Sequence, residues 1–299
     1  MKRVLVTGAS GFIGRHTLAP LLARGFEVHA VGRTRPAGAP AGVTWHAADL
    51  LAPGAAAALV GEVKPTHLLH LAWFVVPGKL ITAPENFDWV TASFELVRRF
   101  HEAGGTRVAV SGSGYEYDWS YGYCTEGLTP CVPDTVYGAC KHALHELVRS
   151  YALGKALSWA WPRVFFLYGP GEHPQRLVSS VARALLAGEP AKSSHGRQIR
   201  DYMHVQDVAD GLAAVLDAEV QGAVNVSSGQ ATTLREIVLT LGRLTGRPEL
   251  VQLGALPARA NDVPLVVGAS AKAAALGWAP RYDLEAGLAH TVDWWRGQA

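Results

Sequence analysis

Short apolar, β-branched runs closed by glycine alternate along this chain with longer stretches in which apolar side chains recur every three to four residues. The first pattern predicts strands buried on both faces of a parallel sheet, and the second predicts helices laid over it. Strands are expected over residues 4–6, 27–31, 43–46, 67–73, 107–110 and 224–226. Helices are expected over 15–24, 55–63, 84–100, from 136 through 148, and over 176–187, 208–218 and 234–244. Strand and helix in regular alternation predict an α/β fold, a doubly wound parallel sheet.

Composition narrows what such a fold can do. A chain of 299 residues has room for a large core, while a net charge of +2 and 17% charged residues leave no basic surface for nucleic acid. A small-molecule partner fits better. Cys124, Cys131 and Cys140 have no paired spacing and an odd count, which suits a reducing cytoplasm, ordinary buried thiols and no metal site. Glycines interrupt the apolar start within a few residues, so neither a signal peptide nor a membrane span is expected.

The chemistry begins where the first strand ends. Gly8, Gly11 and Gly14 stand at three-residue spacing with Ser10, Phe12 and Ile13 between them, directly between a strand and a helix. That is the context a dinucleotide fingerprint requires: a tight exit, backbone approach to a pyrophosphate, and free N–H groups at the helix start. At the end of the second strand, where an acid would bind the ribose of NAD, the chain has Gly32-Arg33-Thr34-Arg35. Arg33, and then Arg35, are expected to favour the 2′-phosphate of NADP(H) over NAD(H), the competing reading being solvated loop charges. Asp49-Leu50 follows the third strand, with the acid expected at the adenine edge.

Tyr137 and Lys141 are four apart on a helix, hence on one face and about 6 Å apart along the axis. An ammonium near the phenol would draw its pKa of about 10 toward neutrality and make it a general acid or base. Ser113 follows the fifth strand, where a ligand contact belongs.

These residues together resemble the extended branch of the short-chain dehydrogenase/reductase family, which holds nucleotide-sugar epimerases, dehydratases and reductases. The resemblance runs nearly end to end and is carried by Thr7-Gly8-x-x-Gly11-x-x-Gly14, Asp49-Leu50, His70-Leu71-Ala72, Ser113 with Tyr117, Tyr137-x-x-x-Lys141, 163–171, 200–208 and 259–264. It implies that Ser113 orients the reacting oxygen, Tyr137 exchanges the proton, and Lys141 holds the nicotinamide ribose and lowers the tyrosine pKa. It further implies that Leu71, Ala72, Trp73 and Val164 border the coenzyme, and that Tyr115, Phe166, Arg200 and Arg259 meet the substrate, the arginines through a diphosphate. For Arg200 and Arg259, internal pairing with Asp201 or Asp262 is the competing reading.

The fold implied is a Rossmann domain from 1–166 and 201–228, with a smaller substrate domain from 167–200 and 229–299. A homodimer through the helices beginning near 84 and 134 is also implied. Three departures from the family pattern matter. Gly114-Tyr115 stand where dehydratases carry Asp-Glu, Phe166 replaces a substrate-binding asparagine, and Trp89 replaces another asparagine. With Arg33 these point to an NADPH-dependent reductase of a nucleotide-linked 4-keto sugar. The alternatives are an NAD-dependent 4-epimerase, a reductase of a non-nucleotide carbonyl, and a non-catalytic NADP-sensing regulator.

Overall fold

The chain begins with β1 (Arg3–Thr7), α1 (Phe12–Ala23), β2 (Glu27–Gly32), β3 (Val43–Ala47), α2 (Ala55–Val63) and β4 (His67–His70). It continues with α3 (Glu85–Glu102), β5 (Arg107–Val110), α4 (Val136–Lys155), β6 (Ser158–Val164), α5 (Leu177–Leu186) and α6 (Val205–Asp217). The last main elements are β7 (Gly222–Val226), α7 (Leu234–Thr245) and α8 (Leu284–Arg296). This computed structural model describes residues 2–36, 38–258 and 262–298.

The seven strands pair in parallel in the order β3-β2-β1-β4-β5-β6-β7. The chain winds outward from β1 to β3, then returns to the other side at β4. The crevice at the carboxyl ends of β1 and β4 is therefore the switch point at which open α/β sheets take their ligands. Register sets Thr7 beside both Val31 and His70 at that end.

Two apolar layers hold the helices to the sheet. Leu18 and Leu21 of α1 pack with Val208 and Leu212 of α6 on one face, and Leu59, Leu96 and Leu144 of α2, α3 and α4 pack on the other. All but Leu59 are fully buried, and each such side chain contributes about 1.5–3 kcal/mol relative to exposure. The remaining helices, α5, α7 and α8, enclose a separate core around Tyr168, Leu185, Ile237, Leu241 and Leu288. Among the described residues no helix is long and apolar enough to cross a membrane, and all three cysteines are free.

Two expectations from the sequence need correction. The strand predicted over 67–73 stops at His70, because the N–H groups of Leu71 and Ala72 turn to the Thr7 hydroxyl at 3.2 and 3.3 Å. A strand over 158–164 is absent from the pattern-based expectation, yet the structure forms one there. There β6 changes partner: Ser158 to Ala160 pair with β5, and Arg163 and Val164 pair with Gly112 and Ser113. On its other edge β6 pairs with β7 along 160–164, Pro162 standing in register with Val224.

Candidate active site

The turn from β1 into α1 is built by close approach. A Cβ on Gly14 would lie 2.1 Å from the Gly8 carbonyl oxygen, so only glycine lets the helix start this near the strand. Gly8 has φ +67°, and a Cβ there would strike the backbone of Leu71 and Ala72. No side chain caps α1, whose N-cap is Gly11. Its first N–H groups, flanked by Ser10, Phe12 and Ile13, therefore suit an anionic ligand. These are the features a dinucleotide pyrophosphate needs, and the residues present fit such a group.

At the end of β2, a side chain on Gly32 would meet the Ser10 hydroxyl at 2.8 Å and the Trp45 ring at 2.9 Å. The position that would carry an acid is thus filled from outside. Arg33 and Arg35 are exposed and join no ion pair among the described residues. Asp49 is exposed and accepts the Leu51 N–H at 3.1 Å, while Leu50 is buried in the core. On the neighbouring strand His70 is structural: its ring bridges Thr7 at 2.6 Å and Ser93 of α3 at 2.7 Å. Burial pushes its pKa down to about 3, so it stays neutral.

Ser113, Tyr137 and Lys141 meet where β5, β6 and α4 converge, and all three are buried. Val164 pairs with Ser113 at the same place. Thr135 caps α4 by accepting the Gly138 N–H at 3.0 Å, and the lack of a side chain at Gly138 lets the helix press against the Tyr115 carbonyl. The Ser113 hydroxyl accepts the Tyr115 N–H at 3.3 Å and lies close enough to the Tyr137 phenol to favour its charged form.

Here the electrostatics reverse the expectation from spacing. Burial pushes the Tyr137 phenol up to about 12, against the opposing pull of the nearby Ser113 hydroxyl. Burial also draws Lys141 down to about 7, partly offset by the charge of Glu116. An amine that loses its proton near neutrality carries no charge where the phenol titrates, so it does not stabilise the phenolate. Instead the Lys141 Nζ donates to the Ser111 carbonyl at 2.9 Å and lies 3.7 Å from the centre of the Trp73 ring. Trp73 is fixed in turn by its Nε1–H donating to the fully buried Asn86 at 2.7 Å. Asn86 belongs to none of the motifs read from the sequence.

Aromatic rings line the approach to Tyr137. Trp73 and Tyr115 contact its ring at 6.4 and 5.7 Å between centres, and Trp89 stacks behind Trp73. Tyr115 continues to Trp119 and Phe166, and Phe166 to Tyr202. Trp73, Tyr115 and Phe166, which the resemblance set beside coenzyme and substrate, thus share one wall with Trp119 and Tyr202.

Arg200, expected to meet a diphosphate, is buried beside that wall and directs its guanidinium to Asp262, Val263 O and Ile199 O. Its charge is already paired, as the competing reading had it. Asp201 accepts instead from Ser228 and Gly229, tying the short strand Ile199–Arg200 to the loop after β7. Arg259 lies outside the described residues.

Arg176, which the sequence offered only as a helix start, is exposed and acts electrostatically on Tyr137, Tyr202 and Glu172. Glu172 is a buried carboxyl, pushed up to about 7 by burial, that accepts from the Ser179 N–H and hydroxyl at the start of α5.

Known proteins resemble this chain in both sequence and fold. The sequence model of the NAD dependent epimerase/dehydratase family matches residues 4–227. A UDP-glucose 4-epimerase from Halalkalibacterium halodurans is 25% identical over 97% of this chain and 95% of its own length. The UDP-glucose 4-epimerase of Thermus thermophilus, solved with NAD, superposes with a TM-score of 0.87 at 28% identity, covering 99% of this chain and all of that one. MoeE5, solved with UDP-glucuronic acid and NAD, gives 0.85 at 32% identity over 99% of this chain and all of its own.

Proposed function

The chain belongs to the NAD dependent epimerase/dehydratase family, and from that premise we propose that it is an oxidoreductase working at C4 of a nucleotide-linked sugar as an NAD-dependent 4-epimerase. The observation that carries the reading is the burial of Ser113 and Tyr137 together in a chain that also has a dinucleotide turn. A nicotinamide coenzyme, when bound, supplies the hydride acceptor and donor. The turn at Gly8, Gly11 and Gly14, with the uncapped start of α1, holds its pyrophosphate. Tyr137 takes the proton of the sugar hydroxyl and returns it to the alkoxide, while Ser113 donates to the same oxygen as charge develops there. Lys141 supplies a donor toward the ribose, and the exposed Arg176, whose charge reaches Tyr137 and Tyr202, supplies a cation for the diphosphate.

Relatives that are UDP-glucose 4-epimerases, and structural neighbours holding NAD, weigh toward epimerisation over the NADPH-dependent reduction first expected. Dehydration is disfavoured by Gly114 and Tyr115 and by Glu116, whose carboxylate is engaged by Ser113, Trp161 and Arg163. The reductase remains a second reading on one observation: Gly32 leaves no space for an acid, and Arg33 and Arg35 stand exposed beside it.

Purified protein, denatured and assayed for released nucleotide, is expected to yield NAD. With UDP-glucose it should form the C4 epimer without net consumption of coenzyme. Consumption of NADPH by a nucleotide-linked 4-keto sugar would favour the reductase, and no turnover of any nucleotide sugar would sink both. A second copy of the chain is proposed to pack on the exposed Phe87 of α3 and Leu147 and Leu153 of α4; a monomer by sedimentation would exclude it.

A further inference from the structure

Beneath Ser113 lies an ion pair that the proton transfers above leave unused. Glu116 is fully buried and Arg163 is 3% exposed. Glu116 Oε1 accepts the Ser113 backbone N–H at 2.7 Å, both its oxygens accept from Trp161 Nε1 at 2.9 and 3.0 Å, and Oε2 accepts from Arg163 Nε at 3.0 Å. The Arg163 guanidinium lies 4.6 Å over the Tyr117 ring, and the Tyr117 hydroxyl is anchored on Asn225 at 2.9 Å. Two charges taken this far from water cost several kcal/mol each, and apolar residues of similar volume often fill such a space with little loss of stability. Fold stability alone therefore gives little reason for the pair.

Its position gives a better one. The titratable groups facing Glu116 are Lys141, His142 and His145 of α4, together with Tyr137, Arg163 and Cys131. Around Lys141 stand the Trp73 ring and the Ser111 carbonyl, and Glu116 is the charge that favours its ammonium form. Around Tyr137 stand Ser113, Tyr115, Glu116 and Arg176, and there the Glu116 charge disfavours the phenolate. Glu116, His142 and His145 also bring three metal-ligand atoms within 4.8 Å of one another. Both carboxylate oxygens are already taken by N–H donors and Arg163 supplies the positive charge, so the cluster is an ion pair and not a metal centre.

We propose that Glu116 is a positioning residue: its carboxylate, pinned by Arg163, fixes the backbone of Ser113 two residues from the Ser111 carbonyl that anchors Lys141, and so serves as the counter-charge of that amine. The proposal rests on the assignment of Ser113, Tyr137 and Lys141 to the reaction, but its first test needs no substrate.

In protein carrying 13Cε-lysine, with the Lys141 resonance assigned by its absence in Lys141→Arg, the Lys141 titration midpoint is read in wild type and in Glu116→Gln. Removing the carboxylate should lower that midpoint by about one to three pH units. An unmoved midpoint overturns the proposal. Glu116→Asp keeps the charge but not the reach to Ser113, so its midpoint should stay near that of wild type while kcat falls about tenfold or more at unchanged KM. A midpoint displaced as far as in Glu116→Gln, or an undiminished kcat, overturns it as well, and this variant decides the matter if Glu116→Gln does not fold. Wild-type protein that turned over no nucleotide sugar would refute the assigned reaction and leave the titration test intact.

Discussion

Tyr137→Phe is expected to cut turnover by about 10²–10⁴-fold while coenzyme affinity stays nearly unchanged. The ring remains, and with it the packing on Trp73 and Tyr115. What disappears is the hydroxyl that exchanges the proton in the proposed reaction. The phenol is held protonated by burial, so at neutral pH it meets an alkoxide as an acid, and accepting a proton from an alcohol requires the charged coenzyme to lower its pKa. Single-turnover hydride transfer, followed beside a coenzyme titration, separates the two effects. Full activity in the variant would remove Tyr137 from the chemistry.

Arg163→Met is expected to destabilise the fold by about 3–5 kcal/mol, because it leaves the Glu116 carboxylate buried without its counter-ion. Urea unfolding at neutral pH measures this. The double variant Glu116→Leu with Arg163→Met removes both charges and should recover most of the loss, yet it should not recover turnover, since nothing then holds the Ser113 N–H. A single variant as stable as wild type would show that water, not protein, solvates Glu116. A double variant with wild-type turnover would show that Ser113 does not need the anchor.

What could be read from the sequence, and what could not, follows the distance between partners along the chain. Strands β1, β2 and β5 announce themselves by apolar runs punctuated by glycine, and α2 occupies 55–63 as its pattern predicts. The dinucleotide turn is equally local, since Gly8, Gly11 and Gly14 meet one another within seven residues. Ser113 and Tyr137 stand in motifs, and both are buried in the structure.

The low pKa of Lys141 was not legible, because the Trp73 ring that buries it arrives from the end of another strand. Glu116 gave no signal either: its partners Trp161 and Arg163 are 45 and 47 residues away. The pairing that occupies Arg200 spans 62 residues to Asp262. The sixth strand changes partner along its length, which no one-dimensional pattern records.

The most direct measurement is a crystal structure of the protein with nicotinamide coenzyme and a nucleotide sugar bound together. The account predicts the sugar C4 oxygen within hydrogen-bond reach of both Tyr137 and Ser113, with the nicotinamide C4 about 3–3.5 Å from the sugar C4. A nicotinamide bound away from Tyr137, or a sugar whose C4 oxygen faces neither side chain, would contradict it.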